Sequence, residues 1–280
     1  MTAPTPQAAP SRAPLPETAF VILPRKRVWL SLANRYRLVS VAVVLVAWQL
    51  YAQNVNPLFL ASPVSIALAA VELTKTGELP QAIWESLQTL ALGYAVAAIF
   101  GVALGILMGW YRKLDWILDP FVSALYATPN VSLIPLIILW FGLYMKSKVV
   151  IVLLAALFPN IINTHSGVRG LSASLVETAL AYGARERHLF TKIVLPAALP
   201  FIMIGLRLAI GRAIIGMVVG EMFTRLTGLG GMIATYSGAF ATDKVFVGII
   251  VLALGGVFLT ELLKAVERRL SVWAETARIE

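Results

Sequence analysis

Two arginines, Arg207 and Arg212, stand five residues apart inside the apolar run 197–222. A charge at bilayer depth costs about 2.5–3.5 kcal/mol, so each must face a bundle interior or a wet cavity. There a guanidinium can attract an anion; pairing with Glu221 or with carbonyls, or snorkelling to an interface, would satisfy it equally. Arg207 lies 11 residues after Pro196, about 16 Å along a helix and near the bilayer centre. Five residues turn a helix by about 140°, net, so the two cannot share one narrow face. Arg207 is the better placed to line a pathway. In the run 117–143, Pro129 and Pro135 delete backbone donors and predict a bent or broken helix, with Asn130 and Ser132 as nearby polar groups able to line the same pathway. Other chemistry is poorly supplied. His165 and His188 are too far apart to read as a metal-ligand pair, there is no cysteine, and no G-x-x-x-x-G-K-[ST] loop exists to hold a nucleotide.

The elements that must position these residues are membrane helices. Apolar residues make up 59% of the 280 and the mean hydropathy is +0.83, against about 45–50% apolar for a soluble domain. Six runs approach the roughly 20 residues a bilayer needs: 37–53, 84–110, 117–143, 148–166, 197–222 and 244–264. The first is the weakest, interrupted by Ser40 and Gln49. The charge of +9 falls in short basic clusters between these runs, the pattern that sets topology rather than nucleic-acid binding. With the N-terminus inside, sixteen Lys and Arg face the cytoplasm; Lys75, Lys146, Lys148, Arg225 and Lys244 face outward. Both termini are therefore expected in the cytoplasm. Residues 1–36, with six prolines, read as a flexible tail, 37–266 as the membrane domain and 267–280 as a second tail.

Gly101, Gly105 and Gly109 repeat at four-residue spacing and predict close helix packing. Residues 54–83 read as an outer loop with a short helix after Ser62-Pro63. The segment 175–196 faces the cytoplasm and is charged and helix-prone. Leu175, Ala179 and Tyr182 recur at helical spacing, which could lay the helix on lipid headgroups. Gly183 argues against that, since it costs about 1 kcal/mol relative to alanine within a helix. A tight bend or a close backbone neighbour would justify it. Pro196 then begins the next span.

Glu177, Thr178 and Ala179, with Gly183 after three residues and Ile193, Leu195 and Pro196 beyond, resemble the EAA signature of ATP-binding cassette (ABC) importer permeases. Thr178 replaces its middle alanine. The similarity covers about residues 60–270 and includes Glu85-Ser-Leu-Gln-Thr-Leu90, Pro129 to Gly142, Gly205-Leu-Arg-Leu-Ala209 and Gly228-Leu-Gly-Gly231. The resemblance implies an all-α, polytopic fold of the type I importer permease, in a bacterial plasma membrane. It implies that loop 167–196, including Tyr182, Ala184 and Arg187, docks on separate ATPase subunits, two of them, that hold ATP and Mg. It further implies a second permease copy, an extracytoplasmic substrate-binding protein, and a solute from the nitrate, bicarbonate, taurine and sulfonate branch. No cofactor, metal or catalytic residue is expected in this chain. An ion-gradient-driven transporter is the alternative, and would need membrane-embedded carboxylates that the spans scarcely supply beyond Glu221 and Glu261.

Overall fold

Proline and glycine positions set most helix boundaries in the computed structural model, which describes residues 32–270. The helices are α1 (Leu32–Ala52), α2 (Pro63–Lys75), α3 (Glu78–Trp110), α4 (Arg112–Ala127), α5 (Ile134–Phe141), α6 (Met145–Arg169), α7 (Ala173–Ala181), α8 (Glu186–Leu189), α9 (Leu195–Phe223), α10 (Gly228–Gly238) and α11 (Thr242–Leu270). A 3-10 turn, Asn130–Leu133, precedes α5, and a π turn, Phe190–Val194, joins α8 to α9. The expected tails lie outside the described residues up to position 31 and from 271. The chain divides into two compact units, Met1–Val44 and Leu45–Glu280. In the first, Ser40 Oγ donates to the Arg37 carbonyl at 3.0 Å.

Among the described residues, four helices are individually long and apolar enough to cross a membrane, and α4 with the segment Asn130–Phe141 makes a pair, broken by a 92° bend, that together has the length and apolar character of a fifth. The bend falls at Pro129, as the sequence expects. α1 has the length but falls outside this set; Arg35 and Arg37 near its start and Gln49 near its end dilute its apolar character. Ser62 caps α2 as expected, accepting from the Ser65 amide at 3.2 Å with Pro63 in the first turn. Pro196 stands in the first turn of α9, as expected, but the π turn joins α8 to α9 without a break, the Leu195 amide reaching back to the Phe190 carbonyl, so that one rod runs from Glu186 to Phe223.

At the centre α6 is packed between α3 and α9. The small-residue stripe on α3 is longer than expected, since Gly93 and the fully buried Ala97 extend the series Gly101, Gly105 and Gly109. A methyl group on Gly93 would lie 2.6 Å from Val152, on Gly101 2.6 Å from Asn160, and on Gly105 2.6 Å from the Ile161 carbonyl. On the other side, methyl groups on Gly205 and Gly216 of α9 would stand 3.0 Å from Asn163 and 2.9 Å from Ala155. Apolar clusters fill the remaining volume, one of them around Leu90, Ala97, Val152, Ala156, Ala209, Ala213 and Met217.

At the α3 N-terminal end of the bundle, α10 begins against other helices. Thr227 gives it no side-chain cap. Instead the amides of Gly228, Leu229 and Gly230 donate to Glu85 (2.9 Å), Ser86 (2.8 Å) and Glu221 (2.8 Å), respectively. Glu221 is fully buried and also accepts from the Ser86 hydroxyl at 2.8 Å. Carboxylates at a helix N-terminus are favourable through the unpaired amides and the dipole. Glu221 thus takes the structural pairing expected of it, with Ser86 and an amide as partners rather than an arginine.

Replacing Gly105 by valine is expected to cost about 1–3 kcal/mol through overpacking against α6, read as a lower melting temperature of the detergent-purified protein. Gly255→Ala, in open space inside α11, is expected not to lower it, since alanine is the better helix former. Glu221→Ala is expected to speed hydrogen exchange at residues 228–231 first, because those amides lose a buried acceptor.

Candidate functional site

A cavity of about 320 Å³ opens where the broken span leaves its helical path, and it is lined by Pro129 and Asn130 at the break, Ile151 and Phe158 of α6, and Arg212 of α9. Three of the residues singled out by sequence therefore come together. Pro129 cannot continue α4, so the chain turns and leaves backbone polar groups beside the opening. Arg212 is exposed on α9 and makes no hydrogen bond or ion pair with the described residues. A cation without a carboxylate, at the edge of a recess that also holds Asn130 and Thr128, can hold an anion by charge-assisted hydrogen bonds.

The remaining candidates sit elsewhere. Arg207 donates to Glu267 at 3.1 Å, in the last turn of α11, and does not line this cavity. Ser132 is exposed, its amide bonded to the Pro129 carbonyl at 2.9 Å, and Pro135 occupies the first turn of α5; neither lines the cavity.

The signature segment forms a hairpin of α7 and α8 at the α3 C-terminal end. Gly183 is left-handed at φ 77°; its amide bonds the Leu180 carbonyl at 2.9 Å and the Ala184 amide bonds the Ala179 carbonyl at 3.0 Å. This pair of bonds is a Schellman ending, which favours glycine at that position. Nothing lies within 4 Å of where a methyl group would go, so the bend, and not a close neighbour, accounts for the residue. Val176 and Ala179 pack on the cluster of Val168, Leu189, Val194 and Ala198, with Ile193 also against it. The other side of α7 is bare: Leu175, Glu177, Thr178 and Leu180 are exposed, and Tyr182 is 90% exposed. Thr178 folds its hydroxyl onto the Ser174 carbonyl at 2.7 Å, so the departure from alanine is absorbed within the helix. Arg187 turns toward a recess with Trp110 and Phe190, away from that bare side.

Sequence reasoning did not pair Asp115 with α6. Its carboxylate lies 2.9 Å from both His165 Nε2 and Arg169 Nη2, tying the first turn of α4 to the last turns of α6. His165 thus stands against this acid rather than at a metal site with His188. The signal available was weak: an acid in the short link between two spans and a basic residue at the end of another.

Residues 101–272 match the family described as "Binding-protein-dependent transport system inner membrane component". The permease protein SsuC of Bacillus subtilis (strain 168), named for aliphatic sulfonates transport, is 37% identical over 83% of this chain and 85% of its own length. The taurine transport system permease protein TauC of Escherichia coli (strain K12) is 32% identical over 84% of this chain and 88% of its own. Among solved structures, an inward-facing form of the MetNI methionine ABC transporter aligns with a TM-score of 0.62 at 17% identity, covering 71% of this chain and 98% of that one. That likeness establishes the all-α, type I importer permease fold. With the family match across 101–272 and relatives along most of the chain, this multi-pass membrane protein belongs to the family of inner-membrane permease components of binding-protein-dependent ABC importers.

Proposed function

We propose that this chain, paired with a second copy, forms the pathway by which a small anionic solute of the sulfonate class enters the cell. The observation that carries the substrate class is Arg212, a guanidinium without a carboxylate partner at the cavity made by the broken span. Relatives named for aliphatic sulfonates and taurine support the same class. An extracytoplasmic binding protein delivers the solute, and both termini of the chain are cytoplasmic, as the distribution of Lys and Arg favours.

Energy enters through the α7–α8 hairpin. Its bare side, with Leu175, Leu180 and the Tyr182 ring, is an apolar strip that two separate ATPase subunits, one per permease copy, would cover. ATP and Mg belong to those subunits. Their closure moves the hairpin, and the continuous rod from Glu186 to Phe223 passes that displacement toward the Arg212 cavity. ATP does work here only through contacts that differ between the two states.

In intact cells, Arg212→Gln is expected to cut uptake of radiolabelled taurine or an alkanesulfonate at least about tenfold, the scale of one charge-assisted bond, at unchanged protein abundance. Equal uptake would remove Arg212 from the pathway. Tyr182→Ala and Gly183→Asp are expected to lose the co-purifying ATPase subunits while the permease stays folded; retention of the ATPase by both would remove the hairpin from the coupling role. Uptake that follows an ion gradient and ignores ATP depletion would favour the gradient-driven alternative.

A further inference from the structure

We propose that the end of the bundle opposite the α7–α8 hairpin carries a second oxyanion site, built by Lys148 and Arg225 and separate from the Arg212 cavity. A recess of about 170 Å³ opens between the start of α3, the start of α6 and the α9–α10 turn, and it shares no lining residue with that cavity. Lys148 is only 4% exposed, yet its ammonium group has one neutral partner, the Thr227 hydroxyl at 2.5 Å. Arg225 stacks on the Tyr144 ring at 5.9 Å, and its amide bonds the Leu143 carbonyl at 3.0 Å, which fixes the turn that presents it.

Two carboxylates lie nearby and attract the Lys148 charge, and Glu85 itself lines the recess, but each is hydrogen-bonded to other groups. Glu85 accepts from Gln81 Nε2 at 3.0 Å with one oxygen and from the Gly228 amide at 2.9 Å with the other. Glu221 divides its oxygens between Ser86 and the Gly230 amide. Among the described residues no ion pair includes Lys148 or Arg225. Two cations and the Glu85 carboxylate therefore border one recess, one cation is nearly buried, and only neutral groups are hydrogen-bonded to the cations. Burying a charge is costly unless it is paired, and an oxyanion between the cations adds a directly bonded partner to the carboxylates that act on Lys148 from a distance. Gln88 and the Tyr144 hydroxyl at the rim offer further donors. The space equals about five waters, enough for a sulfonate, sulfate or phosphate head with a short chain.

Topology gives a second reason. The outer face of a membrane protein is depleted in Lys and Arg, yet Lys148 and Arg225 are two of only five such residues expected there. Lys244, another of the five, is paired with Glu72 at 2.9 Å. Lys148 and Arg225 have no such partner, and an anion arriving from outside meets them before it can reach Arg212. Identifying the physiological ligand as a sulfonate rests on the function proposed above; the site itself rests on the recess and its cations. A lipid phosphate has the same chemistry.

The test uses the complete chain, assembled with its co-purifying subunits, in nanodiscs of phosphatidylcholine alone, titrated calorimetrically with methanesulfonate at constant ionic strength. The expected result is two sites per chain, one lost in Arg212→Gln and the other weakened about tenfold in Arg225→Gln and restored by Arg225→Lys. Lys148→Gln, checked for folding by its melting temperature, should abolish the same site as Arg225→Gln. An isotherm in Arg225→Gln identical to that of the unaltered chain, or no methanesulfonate binding beyond that lost in Arg212→Gln, overturns the outer site and leaves the sulfonate-uptake proposal standing. Conversely, if methanesulfonate binds at Arg225 but the transporter takes up no sulfonate, the substrate class fails and the site survives. Adding phosphatidylglycerol to the discs separates the sources: displacement of methanesulfonate assigns the site to a lipid phosphate, and unchanged binding assigns it to the soluble anion.

Discussion

Everything in this bundle depends on how closely α6 can approach its two neighbours. In lipid, burying an apolar side chain against another helix gains little over leaving it among acyl tails, so helices associate through packing and polar contacts. Here the approach is made by leaving side chains out. Gly93, Gly101 and Gly105 of α3 and Gly205 and Gly216 of α9 bring backbone to within contact of α6 on both sides. The same residues of α6 serve both interfaces: Asn160 meets Gly101 on one side and lies next to Gly205 on the other.

That rigid centre gives the two ends their meaning. At one end the α7–α8 hairpin is seated by Val176 and Ala179 on a small apolar cluster and continues as one rod into α9, which forms part of the centre. At the other, Ser86 and Glu221 project from α3 and α9 to meet α10. The Arg212 cavity lies between these ends, on the face of α9 turned to the broken span. A push on the hairpin therefore acts on helices that cannot slide independently, because their backbones are already in contact. The Asp115 contacts with His165 and Arg169 similarly anchor α4, the first half of the broken span, to α6.

What could be read from the sequence was local. Ser62-Pro63 starts a helix, Pro129 breaks one, Gly183 marks a left-handed bend, and the four-residue glycine spacing marks a packed face; each is decided by backbone geometry within a few residues. Gly93 and Ala97 carried the same spacing and were missed because alanine is common in any apolar helix. What escaped was long-range. Glu221 finds Ser86 across 135 positions and Arg207 finds Glu267 across 60, and no periodicity encodes such pairs. Pro196 marks the first turn of α9, but the π turn that makes α8 and α9 one rod has no signature in the residues around it. Arg212, not Arg207, lines the cavity because five residues turn the helix by about 140°, and the side that carries Arg207 meets Glu267 of α11.

The way α10 is capped also bears on the order in which the protein can be made. A ribosome releases Glu85 and Ser86 into the membrane long before the residues that satisfy them, since Gly228 and Leu229 follow by 143 positions. Until then α3 waits with polar groups exposed at its entry, and Glu221 arrives needing the same partner. A chain that misplaces α9 would therefore leave Ser86 and the Gly230 amide without the Glu221 carboxylate that joins them.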